Sequence, residues 1–224
     1  MLDRPKQVKE ERKIDLRKRW EAPEAAALLL AEVDAFVRQG GIAGPLDLRG
    51  AVVGMDGPLA DFRLSGRDYA DLDLSYGSGA LVIRDGSVTR MRAAGFAFDR
   101  ATYWAKATLV DCDVSGFKGR FDATDVRFVR CDFSASTFRG GPAEYGFKRC
   151  TFENCTLTGA IWGNTFFKAC RFVNCTFTGT RFERCYLAGL RLEGEVDLSS
   201  LLASCDLRSI YLNGLEVPHA PSAV

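Results

Sequence analysis

The sequence predicts an all-β solenoid with square coils, preceded by one α-helix. Large apolar residues recur every five positions, a small residue stands two positions before each of them, and one N-terminal stretch has helical spacing. A period of five fits neither one face of a helix nor an alternating strand. Each five-residue unit is therefore expected to form one side of a coil, so that four sides close a square of about 20 residues.

Residues 1–22 are predicted to form a basic N-terminal segment outside the solenoid. Within the first 20 residues, eight lysines and arginines stand against four acidic residues. Such a run is typical of a solvated, partly helical tail. A contact with phosphate or with a membrane surface is the alternative, which the interleaved acidic residues weaken.

The segment 23–41 is predicted to be a capping helix. Pro23 suits a first helical turn, the alanines and leucines after it favour a helix, and two glycines supply a stop. Leu29, Val33 and Phe36 follow helical spacing, so one side of this helix should pack against an apolar surface. Because a solenoid leaves its first coil uncovered, the helix is well placed to cap it.

Residues 45–217 carry the five-residue period. Counted from Phe147, fourteen of the fifteen positions spaced five apart are apolar, and the exception is Asp197. A buried, unpaired carboxylate would be costly. We therefore expect a one-residue slip near Asp197 that turns Val196 and Leu198 inward instead.

All eight cysteines occupy the small position of the repeat. They are Cys112, Cys131, Cys150, Cys155, Cys170, Cys175, Cys185 and Cys205. A free cysteine behaves as a small buried apolar residue, interchangeable there with Ala, Ser or Thr. Zinc needs four converging ligands, usually as CxxC pairs, whereas this spacing places the sulfurs on different sides of a square or in a vertical file. We predict packing cysteines, no metal site and no disulfide framework.

The chain offers no recognisable catalytic constellation. Its single histidine, His219, lies in the predicted proline-flanked tail 218–224, and no phosphate-binding glycine loop, nucleophile elbow or HExxH motif is present. We therefore predict a protein that is not an enzyme. No catalytic residue, cofactor or small-molecule substrate is expected.

Several units of the repeat resemble the pentapeptide-repeat family, whose consensus is A-(D/N)-L-x-x. These units are A-D-F-R-L, A-D-L-D-L, C-T-F-E-N, C-T-L-T-G and C-R-F-V-N. The resemblance covers about residues 46–217, most of the chain. It implies a right-handed quadrilateral parallel β-helix, whose four faces are short parallel sheets.

The resemblance also implies a function. The best-understood pentapeptide-repeat proteins bind DNA gyrase or topoisomerase IV and protect bacteria from topoisomerase poisons, with a rod that resembles duplex DNA in width and carries negative charge. This chain departs from them, because residues 86–190 hold fifteen basic against nine acidic residues and no dimerisation module follows Val217. The alternative is a protein-interaction scaffold, or a self-protection or assembly factor, with another partner.

Two surface features are candidate partner-binding sites. The first is a loop where the period breaks, because loops on rigid scaffolds often carry recognition; its residues are Arg139, Gly140, Gly141, Pro142, Ala143, Glu144 and Tyr145. The second is a basic strip of residues that should stack on adjacent coils, namely Lys148, Lys168, Arg171 and Arg191. The period also breaks at 54–58 and 83–95, where loops leaving the rod are the simplest account.

Charge and hydropathy limit the other partners. The chain has 30 basic and 29 acidic residues, and its basic residues are not accompanied by exposed aromatics suited to base stacking, which disfavours direct nucleic-acid binding. No apolar run approaches the roughly 18 residues that span a bilayer, and the N-terminus lacks the apolar core of a signal peptide. We expect a cytoplasmic protein without a membrane contact. Its C-terminal coil is expected to be bare or buried in a homodimer.

Overall fold

The computed structural model is a β-solenoid of about seven turns, made mostly of parallel strands, with one N-terminal helix. The predicted fold class is thereby confirmed. The structure describes residues 16, 18, 20, 23–40, 44–55, 58–99, 101–140, 146–202 and 204–218. Most of the predicted segment 1–22 and the tail from His219 onward lie outside these residues. The predicted segment boundaries therefore stay predictions.

The strands form four stacks, which we call faces A to D. Face A contains β1 (Leu46–Asp47) and β5 (Leu72–Asp73), continued by single bridges at Arg92, Asp113, Asp132, Thr156 and Thr176. Face B contains β2 (Val52–Val53), β6 (Ser78–Gly79), β8 (Ala97–Phe98), β10 (Lys118–Gly119), β13 (Thr137–Arg139), β16 (Ile161–Gly163) and the first part of β19 (Arg181–Ala188).

Faces C and D complete the square. Face C contains β3 (Arg63–Ser65), the first parts of β7 (Val82–Thr89) and β9 (Tyr103–Val110), β11 (Asp122–Thr124), β14 (Gly146–Lys148), β17 (Phe166–Lys168), the second part of β19 and β21 (Ser204–Arg208). Face D contains β4 (Asp68–Ala70), the second parts of β7 and β9, β12 (Arg127–Val129), β15 (Thr151–Glu153), β18 (Arg171–Val173), β20 (Arg191–Glu193) and β22 (Tyr211–Leu212). The last strand, β23 (Leu215–Glu216), pairs with β22 in antiparallel fashion.

The core is a column of large side chains inside the square. Because equivalent residues of successive coils are in register, their rings lie above one another. On face D the ring of Phe152 stacks on Phe128 at 4.7 Å and on Phe172 at 4.4 Å. All three are buried. This repeated stacking is what the five-residue period encodes.

The N-terminal helix, α1 (Pro23–Gln39), packs against the first coils. Val33 and Phe36 are buried, as their helical spacing predicted, and the Phe36 ring lies 5.6 Å from that of Tyr69. The Tyr69 hydroxyl donates a hydrogen bond to the carbonyl oxygen of Val37. These contacts join the helix to the solenoid at the end where a cap is needed.

The cysteines pack inside the coils as predicted. Seven of the eight are buried, Cys205 is half-buried, and all eight are free thiols. The Cys170 Sγ, for example, donates to the carbonyl oxygen of Phe147 on the coil below at 3.3 Å. Burial raises the pKa of the Cys170 thiol well above its ordinary value, which makes it a poor nucleophile. Among the described residues, no group of three or more histidine, cysteine or acidic side chains is placed to hold a metal ion.

One predicted irregularity is wrong and one is partly right. Residues 83–95 do not leave the rod, because β7 runs through two faces there and buries Ile83 and Val88 at the usual spacing of five. Asp197 is exposed, while Val196 and Leu198 pack against the core, as predicted. The cause, however, is a single helical turn, α2 (Leu198–Leu201), rather than a slipped strand.

Hydropathy adds one further finding. In the part of the chain that the structure describes, no helix is both long enough and apolar enough to cross a membrane. The 17-residue helix α1 is the longest described, and it carries Glu32, Asp34 and Arg38 on its outer side, all exposed.

Candidate protein-binding faces

The predicted partner-binding loop falls at the join between two faces. Arg139 ends β13 and is exposed, while the following Gly140 is buried. A Cβ at Gly140 would meet the carbonyl oxygen of Asn164, so this backbone lies close against the next coil. The remaining loop residues, Gly141, Pro142, Ala143, Glu144 and Tyr145, lie outside the described residues. The role of the loop stays a prediction.

The predicted basic strip stacks as expected but divides between two faces. Lys148 pairs in register with Lys168 on face C, and Arg171 pairs with Arg191 on face D. The Arg171 guanidinium donates two hydrogen bonds of 2.7 Å to the Glu193 carboxylate on the next coil. Arg171 is therefore compensated, whereas Lys148 and Lys168 form no ion pair with any residue that the structure describes.

Half-buried aromatic side chains accompany these lysines, a feature that the sequence reasoning did not identify. Phe166 and Tyr186 are half-buried on face C, and their rings stack at 5.0 Å with an angle of 6° between the planes. The guanidinium of Arg208 lies 5.7 Å from the Tyr186 ring. The sequence could have indicated that Phe166 and Tyr186 lie on the surface of face C, because the residue directly before each inward one points outward.

A row of aspartates runs along face A at the other end of the rod. Asp73, Asp113 and Asp132 occupy equivalent positions, with Arg92 interrupting them. In each, Oδ1 accepts a hydrogen bond from the backbone N–H two residues ahead, at 2.8–2.9 Å. This turn contact holds the carboxylates in the same orientation on successive coils.

The first coils of this row border an acidic groove of about 770 Å³. Five aspartates and three arginines contribute to its lining; they are Asp47, Asp71, Asp73, Asp111, Asp113, Arg49, Arg90 and Arg92. Asp47 accepts hydrogen bonds from the Arg49 side chain. Acidic side chains therefore exceed basic ones in the groove.

The corner between faces D and A carries a ladder of alternating charge. The Arg90 guanidinium donates to Asp71 at 2.6 and 2.7 Å, and the Arg130 guanidinium donates to Asp111 at 2.7 and 2.8 Å. These hydrogen bonds lower the pKa values of Asp71 and Asp111. All four residues have a positive φ, which is the corner conformation of this solenoid.

We expect Asp111→Asn to lower the melting temperature slightly at neutral pH and to lose that effect in acid. Because the folded-state pKa of Asp111 is lowered, its ion pair contributes stability above the ordinary pKa of about 3.9 and loses it as pH falls through the lowered value. Circular dichroism melts between neutral pH and about pH 2.5 measure this.

The matched control for that prediction is Asp85→Asn. Asp85 is also an exposed corner residue with positive φ, but it forms no ion pair with a described residue. The melting temperature of this control should therefore equal that of the unsubstituted protein over the whole pH range. Equal effects of the two substitutions would show that the ladder contributes nothing.

Four stacked parallel faces with an inward residue every five positions define a quadrilateral β-solenoid. Residues 145–221 match the family model described as "Pentapeptide repeat region". The C-terminal third of the chain is therefore a pentapeptide repeat region.

Two solved structures are similar to this chain at low identity. Trypsin-treated QnrB1, described as a plasmid-mediated fluoroquinolone resistance protein, is 17% identical, with 75% of this chain and 90% of that chain covered and a TM-score of 0.37. HetL, a pentapeptide repeat protein involved in heterocyst differentiation regulation from the cyanobacterium Nostoc sp. strain PCC 7120, is 11% identical, with 80% and 94% covered and a TM-score of 0.23. No curated protein sequence matches the chain. At these TM-scores neither structure bears on function.

Proposed function

We propose that this protein is a non-enzymatic, protein-binding rod whose partner is a type II topoisomerase, either DNA gyrase or topoisomerase IV. Its binding would protect that enzyme from a topoisomerase poison. The family resemblance supplies the class of partner. The observation that carries the proposal is the row of aspartates on face A.

The aspartate row repeats negative charge along the rod. Asp73, Asp113 and Asp132 project from coils stacked about 4.8 Å apart. Duplex DNA is likewise a rod with regularly repeated negative charge, and sites that bind it select such charge. A DNA-binding groove of a topoisomerase therefore offers a complementary surface.

The interior supports a binding role rather than catalysis. Large side chains fill the coils, among them Trp104, Phe128 and Trp162, which are fully buried. Function is therefore assigned to outward residues. Members of the family are typically non-catalytic.

A second candidate is an interaction scaffold, or a self-protection or assembly factor, with a different partner. Lys148 and Lys168 on face C, which form no ion pair with a described residue, favour it, because they suit an acidic partner rather than a DNA-binding one. A homodimer through the C-terminal coil is compatible with both candidates. Leu207 and Leu212 are only partly buried there, and Leu215 is 76% exposed.

Gyrase supercoiling and poison-induced cleavage assays test the topoisomerase proposal. The protein should restore supercoiling in the presence of a fluoroquinolone. Asp73→Asn/Asp113→Asn should require about tenfold more protein, because asparagine keeps the turn hydrogen bond but removes the charge.

Asp61→Asn/Asp85→Asn removes the same charge from exposed positions away from the row and should behave like the unsubstituted protein. If micromolar protein changed neither supercoiling nor cleavage, the topoisomerase proposal would be wrong. If Asp73→Asn/Asp113→Asn protected supercoiling as well as the unsubstituted protein does, face A would not be the surface that binds the topoisomerase.

A further inference from the structure

We propose that face C, over the coils from β14 to β21, binds an acidic, extended protein segment lying along the rod. The surface consists of Lys148, Phe166, Lys168, Tyr186 and Arg208, and we call it the face C panel. It lies on a different face from the aspartate row. The inference therefore goes beyond the topoisomerase proposal and does not depend on it.

The panel carries two stacked lysines that no described carboxylate compensates. Several arginines, in contrast, meet a carboxylate on a neighbouring coil, as in the pairs Arg127–Glu153, Arg149–Asp125 and Arg171–Glu193. Lys148 and Lys168 lie directly above one another, and neither forms an ion pair with a described residue. Like charges in register repel each other, so an anionic ligand would relieve a cost already present in the free protein.

Among the described residues of face C, acidic side chains lie at the two ends of the panel. Within the described residues, the outward positions of the face C strands between Asp122 and Asp206 hold threonine, glycine, aromatic, lysine and alanine residues. Asp206 pairs with Arg208. The centre of the panel thus presents a positive potential that no described carboxylate of face C screens.

The aromatic pair favours carboxylates over nucleobases. The Phe166 and Tyr186 rings are nearly parallel, so each covers one face of the other. Base stacking needs an accessible ring face. Ring edges carry partial positive charge, and outward edges add to the attraction of the lysines for anions.

The shape of the panel suits a short extended chain. Four strands of face C, one coil apart, span about 14 Å, which is the length of about four or five extended residues. Ala188 separates Lys168 from Arg208, and Ala169 and Gly189 form the adjoining corner. These small residues leave room for the backbone of a partner between the cationic side chains.

Fluorescence anisotropy with a labelled oligoglutamate of about ten residues tests the proposal. The full chain should bind this probe, and Lys148→Glu/Lys168→Glu should weaken binding by about tenfold or more. Phe166→Ala/Tyr186→Ala should also weaken binding, with circular dichroism confirming that the variant remains folded. Binding should fall as salt is raised.

The matched control is Lys118→Glu/Arg120→Glu, which makes the same charge change on exposed residues at face B. Its affinity for the probe should equal that of the unsubstituted protein. The proposal would be overturned if Lys148→Glu/Lys168→Glu and Lys118→Glu/Arg120→Glu weakened probe binding equally. It would also be overturned if the unsubstituted protein did not bind the probe.

Two further measurements distinguish an acidic protein segment from other ligands of the face C panel. A single-stranded oligonucleotide of matched charge should bind more weakly than oligoglutamate, and tighter binding would overturn the proposal in favour of nucleic acid. Light scattering should show the same oligomeric state for the unsubstituted protein and Lys148→Glu/Lys168→Glu. A dimer that these substitutions dissociate would assign the panel to a second copy of the chain and overturn the proposal.

Discussion

Replacing Phe152 with alanine is expected to lower the free energy of unfolding by about 4 kcal/mol. The ring is fully buried, and it stacks on Phe128 below and Phe172 above. Its removal would leave a cavity and would also deprive both neighbouring coils of a contact. In a solenoid, stability depends on such nearest-neighbour contacts. Guanidinium chloride denaturation followed by circular dichroism measures the change.

Phe166→Ala is the matched control for this prediction. It makes the same chemical change at a half-buried outward position, where the ring contacts Tyr186 rather than the core. We expect a loss of about 1 kcal/mol. Comparable losses for the two substitutions would mean that the inner ring stack does not dominate the stability of the rod.

Gly119→Ala is expected to lower the free energy of unfolding by about 3 kcal/mol or more. Gly119 has a φ of +133°, and an added Cβ would lie 2.0 Å from the carbonyl oxygen of Phe98 on the coil below. That oxygen belongs to the backbone, so a side-chain rotation cannot relieve the clash. The two coils would have to separate, which would weaken the contacts between their stacked side chains. The same denaturation experiment measures the loss.

Gly159→Ala separates backbone strain from the clash. Gly159 has a φ of +68°, and an added Cβ would meet no described atom within 4 Å. Other corners of the solenoid hold alanine with a positive φ, namely Ala135 and Ala169. We expect a cost of about 1 kcal/mol. If Gly119→Ala cost no more than this control, close packing of successive coils would not be what requires glycine at position 119.

The regular coils were predictable because their information is local. Phe147, Phe152 and Phe172 stand at the inward position of a five-residue unit, and each is buried in the structure. The cysteines were predicted to pack for the same reason. A short repeat places the small and large side chains without any knowledge of distant residues.

The prediction failed where the two inward positions exchange roles. On face B, Gly119 stands where a large residue is expected, while Phe117, two positions earlier, is buried. Within residues 83–95, Met91 stands at the small position and Ala93 at the large one, and both are buried. The interior must be filled, but either position can supply the volume. A rule that assigns one size to each position therefore misread residues 83–95 as an interruption.

The ion pairs were not predictable, because they depend on the length of each coil. The bridges of face A show that successive coils take 19, 21, 19, 24 and 20 residues between Asp73 and Thr176. A fixed spacing of 20 therefore finds the Lys148–Lys168 stack but misses the pairing of Asp111 with Arg130, 19 residues on. Which charges meet across coils is settled only when the register is known.

The sequence by itself determined the square solenoid, the N-terminal helix, the inward cysteines and the stacking of the predicted basic residues. The tertiary structure alone decided that Arg171 pairs with Glu193, whereas Lys148 and Lys168 pair with no carboxylate in the described part of the chain. It also decided that Phe166 and Tyr186 lie beside those lysines. The physical reason is the sequence separation of the residues that each interaction joins. Burial follows a repeat within five neighbouring residues, whereas charge compensation joins residues one coil apart across coils of unequal length.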